Sequence, residues 1–139
     1  FNGNYRIEST DSSKMLADVF LYNDLFNRTN MPTIYDYINI TAVKNKKLRI
    51  KLFVNNELIK TKVISGVFDN SSFLFKNSHV DFFYGIIVFR SQTNRLSLST
   101  QNDLFLDTNY GGIATFLLMP IPLSGSSQYQ YGVKFKRIR

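Results

Sequence analysis

The chain has 139 residues, 44% of them hydrophobic and 15% aromatic, with a formal net charge of +7 and no cysteine. That length and composition fit one domain spanning 1–139 with its own core and exclude a disordered chain; the missing thiols exclude disulfides, thiolate metal sites and cysteine nucleophiles. The charge leaves two readings open: an anionic partner such as nucleic acid or acidic lipid, or lysine-rich codon usage on a solvated surface. Phe, Tyr, Asn, Lys and Ile together supply roughly two-fifths of the residues, the bias of an AT-rich genome.

Residues 3–9 (GNYRIES) alternate Tyr5 and Ile7 against Arg6 and Glu8, the pattern of a short opening strand. Ser9, Thr10, Asp11 and Ser12 supply helix N-cap residues, and Met15, Leu16, Val19 and Phe20 follow at helical spacing, which predicts a helix over 12–23. From Ile34 the period returns to two, with Ile38 and Ile40 on one face and Tyr35, Tyr37, Asn39 and Thr41 on the other. The next segment reads as a hairpin, LRIKLFV and ELIKTKV about the pair Asn55-Asn56, which tolerates the positive φ angles of a type I′ turn. With Val54 and Glu57 flanking the turn, simple alternation sets Leu52 against Ile59, Ile50 against Thr61 and Leu48 against Val63. It sets Lys51 against Lys60 and Arg49 against Lys62 on the opposite face.

Further along, residues 72–76 read as a short strand and Asn77-Ser78 as a turn. Residues 80–90 read as one long apolar strand with a bulge at Gly85. Gln92-Thr93-Asn94 and Asn109 through Gly112 read as further turns, and Gln101-Asn102 as a two-residue turn between Leu96/Leu98 and Leu104/Leu106. Residues 113–119 form an apolar run, 120–128 a Pro-, Ser- and Gly-containing loop, and 129–138 a last strand alternating Tyr131, Val133 and Phe135 against Lys134 and Lys136. About nine or ten short strands with local connections predict a mainly β fold, an antiparallel up-and-down β-barrel of about 8–10 strands with one short helix after the first strand. The first and last strands form its closing pair. No run is long enough for a transmembrane helix, since 84–89 is too short and 111–123 is interrupted by Pro120 and Pro122.

Three segments, FNGNY, KMLADVF with the hairpin LRIKLFVNNELIKTKVISG, and RLSLSTQNDLFLDTNYGGIATFLLMPI with the terminal YGVKFKRI, resemble small lipocalin-like (calycin) lipoproteins of Bacteroides-like bacteria. Lipocalins carry a Trp in the opening motif; this chain has none, and Tyr5 stands in its place. The resemblance implies a secreted or cell-envelope protein, lipid-anchored through a cysteine upstream of Phe1, and so a membrane surface as partner. It also implies a barrel cavity for a lipid or other apolar small molecule. The opening on Phe1 rather than Met fits a cleaved signal peptide, and equally a domain boundary.

Candidate cavity residues are the inward alternates Tyr5, Ile38, Ile40, Leu96, Leu98, Val133 and Phe135, for which ordinary core packing is the alternative. Arg49, Lys51, Lys60 and Lys62 form a candidate patch for an anionic partner, because directly opposed like charges are not what stability alone selects; codon bias is the alternative. Nucleic acid is not an expected partner, because the outward positions are Lys rather than stacking aromatics. His79, the one histidine, stands beside Asp81, but no second histidine, cysteine or close carboxylate pair accompanies it, so no metal or other cofactor is expected. Asp103 and Asp107 are too far apart on a strand for paired-carboxylate chemistry, and no G-x-S-x-G elbow occurs. The expectation is a non-enzymatic binding protein, or alternatively a filled barrel acting as a surface interaction module through the basic patch.

Overall fold

The computed structural model describes residues 1–10, 16–21, 35–44, 46–84, 86–116, 119–121 and 128–138. They form two antiparallel sheets. The first has the order β11-β1-β2-β3-β4, from Arg137–Ile138, Gly3–Arg6, Tyr37–Val43, Lys47–Val54 and Glu57–Ser65. The second runs β10-β8-β7-β6-β5, from Gln128–Phe135, Leu104–Phe116, Ile86–Leu98, Ser72–Phe83 and Val67–Asp69. A short β9, Met119–Ile121, pairs with the far end of β8. The helix expected over 12–23 is described only as the turn α1, Leu16–Phe20, and Leu21; the other residues of that range lie outside the described part.

Two corners carry the chain from one sheet to the other. At Gly66, β4 gives way to β5, and a side chain there would collide with the Leu74 carbonyl and the Phe73 ring, so glycine is what lets the corner close-pack. At Lys136, β10 gives way to β11, which pairs with β1 through Asn4↔Ile138 and Tyr5↔Arg137. The last strand expected over 129–138 is thus split into β10 and β11 on different sheets, and only the two-residue β11 meets the first strand. The hydrogen-bonded ladders form two sheets; no single closed ladder is present among the described residues.

The apolar core lies between the sheets, where strand alternation aims Tyr5, Ile38, Ile40, Leu48, Ile50 and Leu52 from one side and Phe73, Phe75, Leu96, Leu104, Leu106 and Phe135 from the other. Leu16, Val19 and Phe20 of α1 complete it, Phe20 stacking on Phe75 at 5.7 Å. Each such side chain contributes about 1.5–3 kcal/mol when fully buried, the main term holding the sheets together.

The hairpin β3–β4 turns at Asn55 and Asn56, both at positive φ (49° and 64°), as a type I′ turn requires. Its register corrects the simple alternation. Val54↔Glu57 and Phe53↔Leu58 pair, and then a bulge leaves Ile59 without a facing residue, so the pairs become Leu52↔Lys60, Lys51↔Thr61, Ile50↔Lys62, Arg49↔Val63 and Leu48↔Ile64. One extra residue flips every later side chain to the other face. Ile64 goes into the core, while Ile59 and Val63 are exposed. The opposed cation pairs Lys51/Lys60 and Arg49/Lys62 do not form.

The second sheet corrects three expected turns. Asn77-Ser78, Gln92 through Asn94 and Asn109 through Gly112 all lie inside long strands of 12, 13 and 13 residues. The apolar stretch 80–90 is not one strand with a bulge. It is the end of β6 and the start of β7, meeting at Phe83↔Ile86 with Tyr84 at positive φ (43°); the expected bulge residue Gly85 lies outside the described residues. The turn expected as the two residues Gln101-Asn102 is longer: β7 ends at Leu98 and β8 begins at Leu104, and Asn102 N–H donates to the Ser99 carbonyl at 2.9 Å, closing a turn centred on Thr100 and Gln101.

Candidate functional site: a polar row across the second sheet

The three misread turns share one level of the second sheet. Asn77 faces Gln92, and Gln92 faces Tyr110. In the next row Phe75 faces Asn94, Asn94 faces Thr108, and Thr108 faces Gln130 on β10. Opposed residues share a sheet face, and this is the face that carries Phe73, Leu96 and Leu106 into the core. Moving along β6 to β8, the inner face is thus apolar, then hydrogen-bonding, and then carries the ionisable side chains His79, Asp81 and Arg90.

Asn77, Gln92, Asn94 and Thr108 are all buried, and burial without hydrogen bonds costs each polar group a few kcal/mol. The row satisfies itself. The Asn77 amide donates to the Val19 carbonyl of α1 at 2.9 Å and to Gln92 Oε1 at 3.4 Å. Gln92 Nε2 donates to the Tyr110 hydroxyl at 3.3 Å, Asn94 Nδ2 to the Gln92 carbonyl at 3.5 Å, and Thr108 Oγ1 to Asn94 Oδ1 at 3.1 Å. Most of these bonds are long, weaker than the usual 2.7–3.2 Å. Tyr110 and Gln130 are only partly buried, so the row runs from the closed core toward accessible surface.

Beyond it, Asp81 contacts both His79 and Arg90. His79 Nε2 lies 2.8 Å from Asp81 Oδ1, and Arg90 Nε lies 3.5 Å from Asp81 Oδ2. That second oxygen is buried and accepts no hydrogen bond. His79 and Arg90 face each other across β6 and β7, so strand register alone assembles the cluster. It offers a hydrogen-bonding imidazole and a guanidinium to an anionic or polar group. Among the described residues no three His, Cys, Asp or Glu side chains come together in a metal-binding arrangement. Asp103 and Asp107 serve β10 and β11 instead. Asp103 accepts Arg137 N–H at 3.0 Å and pairs with Lys134 Nζ at 3.0 Å, and Asp107 accepts Gly132 N–H at 2.7 Å. The Arg137 amide first and the Lys134 ammonium second hold the Asp103 carboxyl below its usual range.

The expected cavity residues come together. Tyr5, Ile38, Ile40, Leu96, Val133 and Phe135 are buried in the common core, with Leu98 partly buried against it. Tyr5, Ile38, Ile40, Leu96 and Phe135 have no accessible surface at all. Burial raises the Tyr5 phenol above its ordinary range. The basic patch does not form as one surface. Arg49 and Lys51 lie on one face of the hairpin, while Lys60 and Lys62, opposite Leu52 and Ile50, lie on the other. Sequence reasoning passed over Asn77, Gln92, Asn94, Thr108 and Tyr110; the signal available was three polar clusters each sitting between two apolar strand-like runs. Compared with known proteins, the chain matches no family model, no curated protein and no solved structure.

Proposed function

We propose that this is a non-enzymatic cell-envelope protein built as a lipocalin-like barrel, continuous round the corners at Gly66 and Lys136, that binds a lipid or other apolar small molecule with a polar or anionic end. The observation that carries the reading is the row Asn77–Gln92–Tyr110, buried at Asn77 and Gln92 and partly buried at Tyr110, beside the apolar part of the second sheet's inner face. Asn77 also ties α1 to the sheet through the Val19 carbonyl, whereas Gln92 and Tyr110 would supply the hydrogen-bonding end site that an amphipathic ligand needs beside an apolar body site. Tyr110, His79 and Arg90 would meet the polar end, with Gln92 positioning the phenol. The envelope location and upstream lipid anchor rest on the resemblance to calycin lipoproteins, and a lipobox cysteine in the upstream gene sequence tests them.

A second reading, the filled barrel acting through its surface, is favoured by the core residues that have no accessible surface, since no water-sized void touches them. Native mass spectrometry of freshly purified protein separates the two. A ligand-binding protein carries a co-purifying lipid-sized mass, reduced in Tyr110→Phe and Arg90→Gln. A bare polypeptide mass in wild type rejects the ligand reading.

A further inference from the structure

The outer face of the same sheet changes character at the same level. Ser78, Ser91 and Gly111 face one another across β6, β7 and β8 and form the floor of a groove of about 420 Å³. Lys76 borders the groove on one side. On the other stands an apolar row, Val80, Phe89 and Ile113, again directly opposed and all exposed, Ile113 by 57%. One row further out, Phe82 is 71% exposed, and at the hairpin end Tyr84 is fully exposed. No charged residue occurs from Phe82 to Phe89 or from Tyr110 to Phe116. Contiguous exposed apolar surface of this kind marks an interaction site rather than ordinary surface.

We propose that this face docks on a phospholipid bilayer, the apolar hairpin end entering the acyl boundary and the groove meeting lipid headgroups. Two residues of strand rise, roughly 7 Å, separate the apolar row from the groove floor. That matches the interfacial layer of roughly 5–8 Å between hydrocarbon and water on each side of a bilayer. With Val80, Phe89 and Ile113 at the hydrocarbon edge, the Ser78 and Ser91 hydroxyls and the Lys76 ammonium fall at the phosphates, where a net charge of +7 adds long-range attraction to anionic lipid. The Tyr84 phenol has the amphipathic character of residues enriched at that boundary. A second copy of the chain fits less well. Five side chains on a twisted ribbon fall short of the roughly 800 Å² per partner that a standard interface buries. The proposal does not depend on the interior ligand.

The protein has no tryptophan, so Tyr84→Trp gives a single fluorescent reporter at the hairpin end. On adding phosphatidylcholine vesicles containing phosphatidylglycerol, its emission shifts to the blue and is quenched by brominated acyl chains, while Tyr131→Trp on β10 is unchanged. In flotation with the same vesicles, Phe82→Ser/Ile113→Ser binds roughly tenfold more weakly than wild type, the loss expected for two partly exposed apolar side chains. Lys76→Glu weakens binding to the anionic vesicles and leaves phosphatidylcholine vesicles unaffected. Circular dichroism confirms that the variants keep the wild-type fold. The proposal is overturned by an unshifted emission spectrum of Tyr84→Trp or by equal flotation of Phe82→Ser/Ile113→Ser and wild type. A shift in the Tyr84→Trp protein that follows protein concentration and dimer formation without vesicles overturns it too.

Discussion

If the polar row exists for binding, the fold should tolerate its removal provided no partner is stranded. Asn94 and Thr108 are the pair to test, since neither is exposed and the Thr108 hydroxyl donates to Asn94 Oδ1 at 3.1 Å. Valine matches threonine in shape and is close to asparagine in volume, so both substitutions keep the strand packed. Asn94→Val alone removes the Asn94 Oδ1 acceptor of the Thr108 hydroxyl, costing about 1–3 kcal/mol, or a fall in Tm of roughly 3–10 °C for a chain of this size. Thr108→Val alone strands the Asn94 carbonyl oxygen at a similar cost. The double variant removes both ends of this one bond together and should lose less than the sum of the singles. Urea unfolding of the four proteins, followed by far-UV circular dichroism, closes the cycle. A double variant that loses the sum of the two singles or more would show that the row holds the sheet together, and the functional reason for it would disappear.

Gly66→Ala puts a methyl group into the Leu74 carbonyl and Phe73 ring at the sheet-to-sheet corner; a destabilisation of about 1–3 kcal/mol is expected, and a wild-type urea midpoint would mean the corner has slack. The bulge at Ile59 predicts that Lys51 and Lys60, which do not face each other, show a coupling below about 0.5 kcal/mol in a charge-reversal double-mutant cycle. A coupling near about 1 kcal/mol would restore the unbulged register. Asp103 has its folded-state carboxyl depressed by the Arg137 amide and by Lys134, so its stabilisation is present above its unfolded value of about 3.9 and is lost as pH falls through the folded value. Asp103→Asn should therefore be less stable than wild type at pH about 6, with the gap narrowing below pH about 4; a gap constant with pH would assign the effect to the neutral hydrogen bond alone.

How far the fold was legible follows from which signals are local. Alternation placed Ile38, Ile40, Leu48, Ile50 and Leu52 inward correctly, because those strands have one buried face and no bulge. The turn at Asn55-Asn56 was legible from the residue types that tolerate positive φ. The bulge at Ile59 was not, because counting by twos cannot register an extra residue and Ile64 offers the core as good a side chain as Val63. The larger error lay in the second sheet. Clusters such as Gln92-Thr93-Asn94 and Asn109-Tyr110-Gly111-Gly112 signal a turn in a strand that has one solvated face. Only the tertiary partners, strand beside strand in register, reveal them as interior parts of long strands that turn Gln92 and Asn94 into the core. The misreading cut β6, β7 and β8 into pieces and hid the hairpin end at Tyr84. It also hid the candidate site, since Asn77, Gln92 and Tyr110 are 15 and 18 residues apart in sequence.

The function proposed for the interior turns on an amphipathic occupant for the inner face of the second sheet. Its sharpest test is native mass spectrometry of the protein immediately after mild purification, before and after organic extraction. The expected result is a discrete added mass in the range of a lipid, removed by extraction, regained on incubation with the extract, and bound more weakly by Tyr110→Phe. A single polypeptide mass throughout, with no uptake from the extract, would contradict it.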